Sequence, residues 1–134
     1  MIIQEIISGR TCSLFAIAGD NDCPVHDFLS DLQGKDHREF AKIMKILADT
    51  AESGPPKRNE QKCRYIRELK VFEFKTTGGV RIMAFWDQGN LIICSHGFMK
   101  KSRKTPPNEL QRVRAARQRY QNAKSVNQII RRSV

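Results

Sequence analysis

The chain has 134 residues, of which 40% are hydrophobic, enough for one domain of ordinary size with a single core. It contains no apolar run of about eighteen residues and no basic leader before Glu5, so we expect a cytoplasmic protein without a membrane anchor. The net charge of +10 is uneven: residues 1–56 hold five Lys/Arg against nine Asp/Glu, and residues 57–134 hold nineteen against five. This asymmetry favours a polyanionic partner, with nucleic acid first, over charge that serves only solubility.

The first half of the chain predicts a strand hairpin and then two helices. Residues 2–7 and 12–18 are apolar and flank a short polar turn, so they are predicted to pair as strands. Apolar residues then recur at helical spacing over 24–33, beginning with a proline at the favoured first position. The same spacing returns over 36–54, where Gly and Pro end the second helix.

The second half predicts a meander of strands and a third helix. Residues 57–66 are polar and mostly basic, and are predicted to form a loop. Three β-rich runs separated by turn residues predict antiparallel strands at 69–76, 80–87 and 91–99. Pro107 begins a helix rich in arginine, and the tail 124–134 is predicted to form a short helix or to pack on a partner.

The meander is predicted to gather charged side chains on one face. A three-residue loop after the first strand sets Glu73 opposite Arg81, and a two-residue loop after the second puts His96 on the face of Arg81. The basic run that follows the last strand is held by a buried scaffold. The side chains predicted to share this face are Glu73, Lys75, Arg81, His96 and Lys100.

This set suits cleavage of RNA by its own 2′-hydroxyl, which needs proton transfer and stabilisation of negative charge on phosphorus. Arg81 can hold two phosphate oxygens through its planar fork, and His96 can transfer a proton near neutral pH. Glu73 would orient the cations, and no metal or cofactor is expected. The predicted catalytic residues are Glu73, Lys75, Arg81, His96, Lys100 and Lys101, with further RNA contacts from Lys57, Arg58, Arg103 and Lys104.

Structural interpretations of the same residues stay open. His96 can be a hydrogen-bonded residue of the interior, and Glu73 with Arg81 can be a cross-strand ion pair and nothing more. A solvated charge run is the common role of consecutive lysines. The aromatic residues of the strands are interpreted as core: Phe72, Phe74, Phe85, Trp86 and Phe98.

Several strings resemble the RelE/ParE superfamily of toxins from toxin–antitoxin pairs, in particular its phage-derived branch close to HigB. Residues 24–32 resemble the first-helix pattern of that branch. Glu73-Phe74-Lys75 and Val80-Arg81-Ile82 are similar to two of its strands. Its closing signature is matched by His96-Gly97-Phe98, Lys100-Lys101, Lys104-Thr105-Pro106 and Glu109. The match covers roughly residues 12–123 of a single toxin domain spanning 1–134.

The resemblance implies an α+β fold in which two N-terminal helices and a C-terminal helix pack on a small antiparallel sheet of about four strands. It also implies metal-independent, ribosome-dependent cleavage of mRNA, and neutralisation by a small cognate antitoxin, often with a helix-turn-helix domain. Arg81 and Lys100 or Lys101 fit the family's basic positions. Lys75 replaces the usual arginine and loses its bidentate fork, and Val80 replaces a common aromatic.

Two other functions compete with the endoribonuclease. One is a ParE-like toxin that inhibits DNA gyrase by binding and does no RNA chemistry. The other is a non-enzymatic nucleic-acid-binding protein of phage origin. His96 together with the lysine run favours the endoribonuclease over the gyrase inhibitor, because phosphate chemistry uses such groups and a gyrase binder does not need them.

Overall fold

The computed structural model describes residues 1–56 and 59–133. In chain order its elements are β1 (Ile2–Ser8), β2 (Ser13–Ala18), α1 (Pro24–Lys35), α2 (His37–Ser53), β3 (Cys63–Ile66), β4 (Val71–Lys75), β5 (Val80–Trp86), β6 (Leu91–Met99), α3 (Pro107–Ser125) and β7 (Ile130–Arg132). Within these residues, no helix is long and apolar enough to cross a membrane.

The strands form one mixed sheet in the order β3-β4-β5-β6-β2-β1-β7. The pairs β2–β6 and β1–β7 are parallel, and the other neighbours are antiparallel. The predicted hairpin of the first two strands and the predicted three-strand meander are therefore both present. They join side by side through β2 and β6.

The prediction of about four antiparallel strands is wrong, because the sheet has seven strands and mixed pairing. Residues 63–66, predicted as loop, form edge strand β3. The tail 124–134, predicted to form a short helix or to pack on a partner, contains strand β7 instead. The arrangement of two N-terminal helices and one C-terminal helix is also wrong, since a hairpin precedes α1 and a strand follows α3. Parallel pairing between strands far apart in the chain leaves no local turn signal from which to predict it.

Helices cover the sheet on both faces. Residues Val25, Leu29, Ile43 and Leu47 of α1 and α2 pack into one core with alternate residues of the strands, among them Phe74 and Ile82. Residues Val113 and Tyr120 of α3 pack into a second core on the opposite face, with Met83, Phe85 and Ile93. Strands buried on both faces lose the alternation of polar and apolar residues, which explains the continuous apolar runs in the sequence.

A bulge in the β5–β6 ladder decides which way His96 points. Trp86 pairs with Ile92, so the loop between β5 and β6 is longer than the two residues predicted. If this register continued along both strands, the His96 side chain would point toward α1 and α2. The register then shifts between Met83 and Ala84, and Met83 lies opposite His96. The predicted face of His96 is therefore confirmed, although the loop predicted to place it there is wrong.

Helix α1 lies directly against the backbone of β6 at Gly97, where an added Cβ would stand 2.4 Å from the Phe28 ring. We expect Gly97→Ala to lower the free energy of unfolding by about 1–3 kcal/mol, because the ring has to shift. Gly34 in α1 is the matched control, since a Cβ added there would meet nothing within 4 Å and alanine favours helix. Urea denaturation of both variants checks this, and equal stabilities would contradict the close packing of α1 on β6.

Candidate functional site

Two rows of side chains on the α3 face of the sheet bring most of the predicted residues together. The first row runs across Glu73, Met83 and His96, and the second across Lys75, Arg81 and Phe98. Glu73 is therefore not directly opposite Arg81 as predicted, because the β4–β5 turn shifts the register by two residues. A shift of two preserves the face, so the predicted grouping is confirmed although its register is wrong.

Glu73 and Arg81 form a buried ion pair at the centre of this face. Glu73 is fully buried and Arg81 is 8% exposed. Arg81 Nε lies 3.0 Å from Glu73 Oε1, but its N–H is poorly aligned with that oxygen, so the contact is ionic more than a directed hydrogen bond. Arg81 Nη1 donates to the carbonyls of Thr76 and Val80, each at 2.8 Å. These contacts hold the guanidinium in place. The Nη2 atom of Arg81 takes no part in them.

Helix α2 holds the turn that supplies one of those carbonyls. The hydroxyl of Thr76 donates to Glu39 Oε1 at 2.5 Å, and the same hydroxyl accepts from the Val80 amide. Glu39 is buried and is also paired with Lys42 at 3.0 Å. A Cβ at Gly78 would stand 2.2 Å from the Glu39 carboxylate, so only glycine lets the turn approach this closely. Glu39 thus positions Arg81 indirectly, through Thr76.

Lys100 joins this pair and completes what we call the cationic cluster: Arg64, Lys75, Arg81 and Lys100. Its amide donates to the Gly79 carbonyl at 2.7 Å, which continues the β6 ladder beyond Met99. Burial lowers the pKa of the Lys100 ammonium below its ordinary value, and the carboxylate of Glu73 opposes that shift. Three cations add to the lowering: Arg81, Lys75 and Arg64. Four positive charges from four strands therefore act on the same small region.

The rest of the predicted basic run is more open. Lys101, Arg103 and Lys104 are exposed and lie on the loop between β6 and α3. Thr105 anchors the far end of that loop, because its hydroxyl donates to Glu73 Oε2 at 2.6 Å. The loop is therefore tied to the same carboxylate that pairs with Arg81. The predicted contacts Lys57 and Arg58 lie outside the described residues.

His96 lies on the same face of the sheet as the cationic cluster, in the row that also contains Glu73 and Met83. It has no exposed surface. Its Nδ1 is 2.9 Å from the Ser95 hydroxyl, and its Nε2 is 3.7 Å from Glu109 Oε2 of α3. Burial, with a smaller contribution from the charge of Arg112, lowers the pKa of His96 to about 4. The imidazole is thus neutral near pH 7 and shielded from solvent, which suits an interior polar residue better than a proton carrier.

Sequence reasoning missed four residues that shape this site: Arg64, Glu39, Thr76 and Thr105. Arg64 lies opposite Glu73 on β3, and a signal existed in the Tyr-Ile pair that follows it in a basic segment. Glu39 carried no usable signal, and Thr105 appeared only within the Lys104-Thr105-Pro106 string of the resemblance, with no role assigned to it. Their role depends on contacts 37 and 32 residues away in the chain.

We expect the buried ion pair to dominate the energetics of this face. Arg81→Met leaves the Glu73 carboxylate buried and unpaired, and should lower the free energy of unfolding by about 3–5 kcal/mol. Adding Glu73→Gln should recover much of that loss, because the amide is neutral. Chemical denaturation measures the stability of both variants. Arg10→Met, which breaks the exposed Arg10–Glu52 pair, is the control. An Arg81→Met variant no less stable than Arg10→Met would contradict the burial of the pair.

His96 also predicts a pH dependence of stability. The unfolded chain binds a proton at this residue below about pH 6.5, whereas the folded protein resists protonation until about pH 4. Stability should therefore fall as pH drops through that window, by an amount on the order of 3 kcal/mol from this group. His96→Gln should lack that part of the decline, measured by thermal melts from pH 7 to 4. His37→Gln, at an exposed histidine, should follow the wild-type profile, and a parallel profile for His96→Gln would refute the assignment.

Comparison with known proteins places the site within a family. No curated protein matches the chain. A family model described as phage derived protein Gp49-like (DUF891) matches residues 27–121. The matched range includes β3 to β6 and most of α3, and thus every member of the cationic cluster. The chain therefore belongs to the Gp49-like family of phage-derived proteins, which is part of the RelE/ParE-like toxin superfamily.

Proposed function

We propose that this protein is the toxin of a toxin–antitoxin pair, of the HigB-like kind, and that it cleaves mRNA on the translating ribosome. One observation supports this above the others: the cationic cluster converges on a single face of the sheet around a fixed arginine. Phosphate is the group that such a set of donors recognises, since a planar guanidinium and flexible ammonium groups complement its oxygens. RNA supplies phosphate together with the 2′-hydroxyl that can attack it.

The proposed reaction is attack by that hydroxyl on the adjacent phosphorus. The 2′-oxygen forms a bond to phosphorus as the bond from phosphorus to the 5′-oxygen breaks, which gives a 2′,3′-cyclic phosphate and a free 5′-hydroxyl. The 2′-hydroxyl loses one proton, and the leaving 5′-oxygen gains one. Arg81 and Lys75 stabilise the negative charge that builds on the phosphorane-like transition state.

Lys100 is the group we assign to proton transfer: its neutral amine accepts the proton of the 2′-hydroxyl, and the ammonium so formed donates a proton to the leaving 5′-oxygen. Its lowered pKa brings the ammonium nearer to the range in which it exchanges protons, and its side chain is only partly buried. His96 is assigned an interior role, because it is closed off from any substrate. Lys101, Arg103 and Lys104 contact the RNA backbone in this proposal. The ribosome positions the message, as in related toxins of the superfamily.

The partners in this proposal are mRNA on the ribosome and a small antitoxin with a helix-turn-helix domain, in the cytoplasm. An acidic antitoxin segment that covers the cationic cluster would block the phosphate site directly. We propose no metal or cofactor for the reaction, because the cations of the cluster take the charge-stabilising role.

A second candidate is a protein that binds nucleic acid or gyrase and performs no cleavage. The enclosure of His96 and Glu73 favours it, since the predicted proton carrier and the residue predicted to orient the cations are both fully buried. Cleavage products separate the two candidates, because a binding protein blocks translation or replication without generating new RNA ends.

The test is to induce the protein in a bacterium and to map new mRNA 5′ ends. We expect ends that follow the reading frame, and a loss of about 100-fold or more in Lys75→Gln/Lys100→Gln, because that variant removes two donors to the transition state. Lys35→Gln/Lys45→Gln, which breaks exposed pairs with Asp31 and Asp49, is the charge-matched control and should cut normally.

Circular dichroism establishes that each variant is folded. New ends that ignore the reading frame would contradict ribosome dependence. Undiminished cutting by the folded double variant would remove the cationic cluster from the reaction, and growth arrest without new ends would favour the binding protein.

A further inference from the structure

A second surface lies on the opposite face of the sheet from the cationic cluster. Tyr65 on β3, Phe72 on β4 and Trp86 on β5 form a contiguous set of rings. The Tyr65 and Phe72 ring centroids are 5.2 Å apart, and those of Phe72 and Trp86 are 5.8 Å apart in an edge-to-face arrangement. These rings line a groove together with Pro55, Pro56, Asn59, Glu60, Cys63 and Arg67. We call it the aromatic groove.

The aromatic groove is not core. Phe72 forms its floor and is 7% exposed, whereas Tyr65 is 51% exposed and Trp86 38% exposed. The interpretation of Trp86 as a core residue is therefore wrong. Helices α1 and α2 bury the neighbouring rings of this face, such as Phe74, but leave these two open to solvent. Large exposed rings that meet in one groove indicate a binding surface.

Strand alternation puts this groove next to the cationic cluster. Arg64 and Tyr65 are consecutive on β3, so their side chains point to opposite faces of the sheet. β3 is also the edge strand, with β4 as its neighbour on one side. A bound polymer that wraps around this edge of the sheet would contact the cationic cluster at Arg64 and the aromatic groove at Tyr65. These two residues are neighbours on β3.

We propose that the aromatic groove binds an unpaired base of the RNA whose phosphates contact the cationic cluster. This rests on the proposed function for the identity of the polyanion. Bases stack on exposed aromatic rings in proteins that bind single strands, with little dependence on sequence. Arg67 supplies a cation at the rim, and the Asn59 amide supplies a donor and an acceptor for a base edge.

The positive charge of this part of the protein favours RNA over an apolar protein segment as the occupant of the aromatic groove. Residues 57–134, which supply the cationic cluster and all of the aromatic groove except Pro55 and Pro56, hold nineteen Lys/Arg against five Asp/Glu. A polyanion gains from that excess over the whole length of its contact, whereas an apolar helix does not. RNA also has an aromatic base at every nucleotide, so one strand can contact the cationic cluster with its phosphates and the aromatic groove with a base.

The chain contains a single tryptophan, and it lies in the groove. Its fluorescence therefore reports base stacking without a label. The probe is an RNA oligonucleotide of about ten nucleotides at low salt, compared with an abasic oligonucleotide of the same length and charge. We expect the base-bearing strand to quench Trp86 and to bind about tenfold more tightly than the abasic strand, which keeps only the phosphate contacts.

Variants test whether the difference between the two oligonucleotides arises in the aromatic groove. Tyr65→Ala should abolish the difference between the two oligonucleotides, and Tyr65→Phe should retain it, because phenylalanine keeps the stacking ring. Ile130→Ala removes an equally exposed apolar side chain from β7 at the other edge of the sheet, and should behave as wild type. Lys100→Gln should weaken both oligonucleotides by the same factor, since it removes a phosphate contact.

Equal binding and equal quenching by the two oligonucleotides would overturn the proposal, as would a difference that survives in Tyr65→Ala. The result is independent of mRNA cutting in cells. Base-dependent quenching without any cutting counts against the proposed cleavage alone. Cutting without base-dependent quenching counts against the groove alone.

Discussion

The buried ion pair between Glu73 and Arg81 is the constraint on which the rest of this site depends. A guanidinium and a carboxylate removed from water are stable only if their remaining polar atoms are bonded. Carbonyls of Thr76 and Val80 meet that need for Arg81, and the Thr105 hydroxyl meets it for Glu73. The pair thereby fixes the β4–β5 turn and the end of the basic loop relative to one another.

This organisation separates groups that hold the site from groups that are free to act. Arg81 and Glu73 are committed to the protein by several contacts, whereas Lys75 and Lys100 are partly exposed and keep the mobility of their side chains. A rigid arginine flanked by adaptable lysines gives one fixed positive charge and two that can adjust to an anion. Glu39 extends the support to α2, so the helical layer on the far face of the sheet contributes to the position of Arg81.

The local elements of the fold were predictable, and the long-range pairings were not. Helices α1 and α2, the first hairpin and the meander each follow from periodicity and turn residues within a few positions. The parallel pairing of β2 with β6 links residues such as Ser13 and Leu91, and no local pattern specifies it. Edge strands β3 and β7 are short, and half of the residues of β3 and all of those of β7 are exposed, so they lack the apolar signal that identifies a central strand.

The same distinction applies to the site. The face shared by Lys75, Arg81 and Lys100 was predictable, because strand parity survives a register shift of two. The enclosure of His96 was not, since it results from α3 packing over a bulge. Trp86 shows the converse: its place in an aromatic-rich strand suggested an interior residue, but the helices end before they cover it.

The composition of the cationic cluster has a consequence for synthesis of the chain. Its four members come from β3, β4, β5 and the end of β6, so no segment shorter than residues 64–100 contains them all. An emerging polypeptide that has not yet paired β6 with β5 has no assembled cationic cluster. Under the proposed function, the protein would thus be harmless to the ribosome that is making it until nearly the whole sheet has formed.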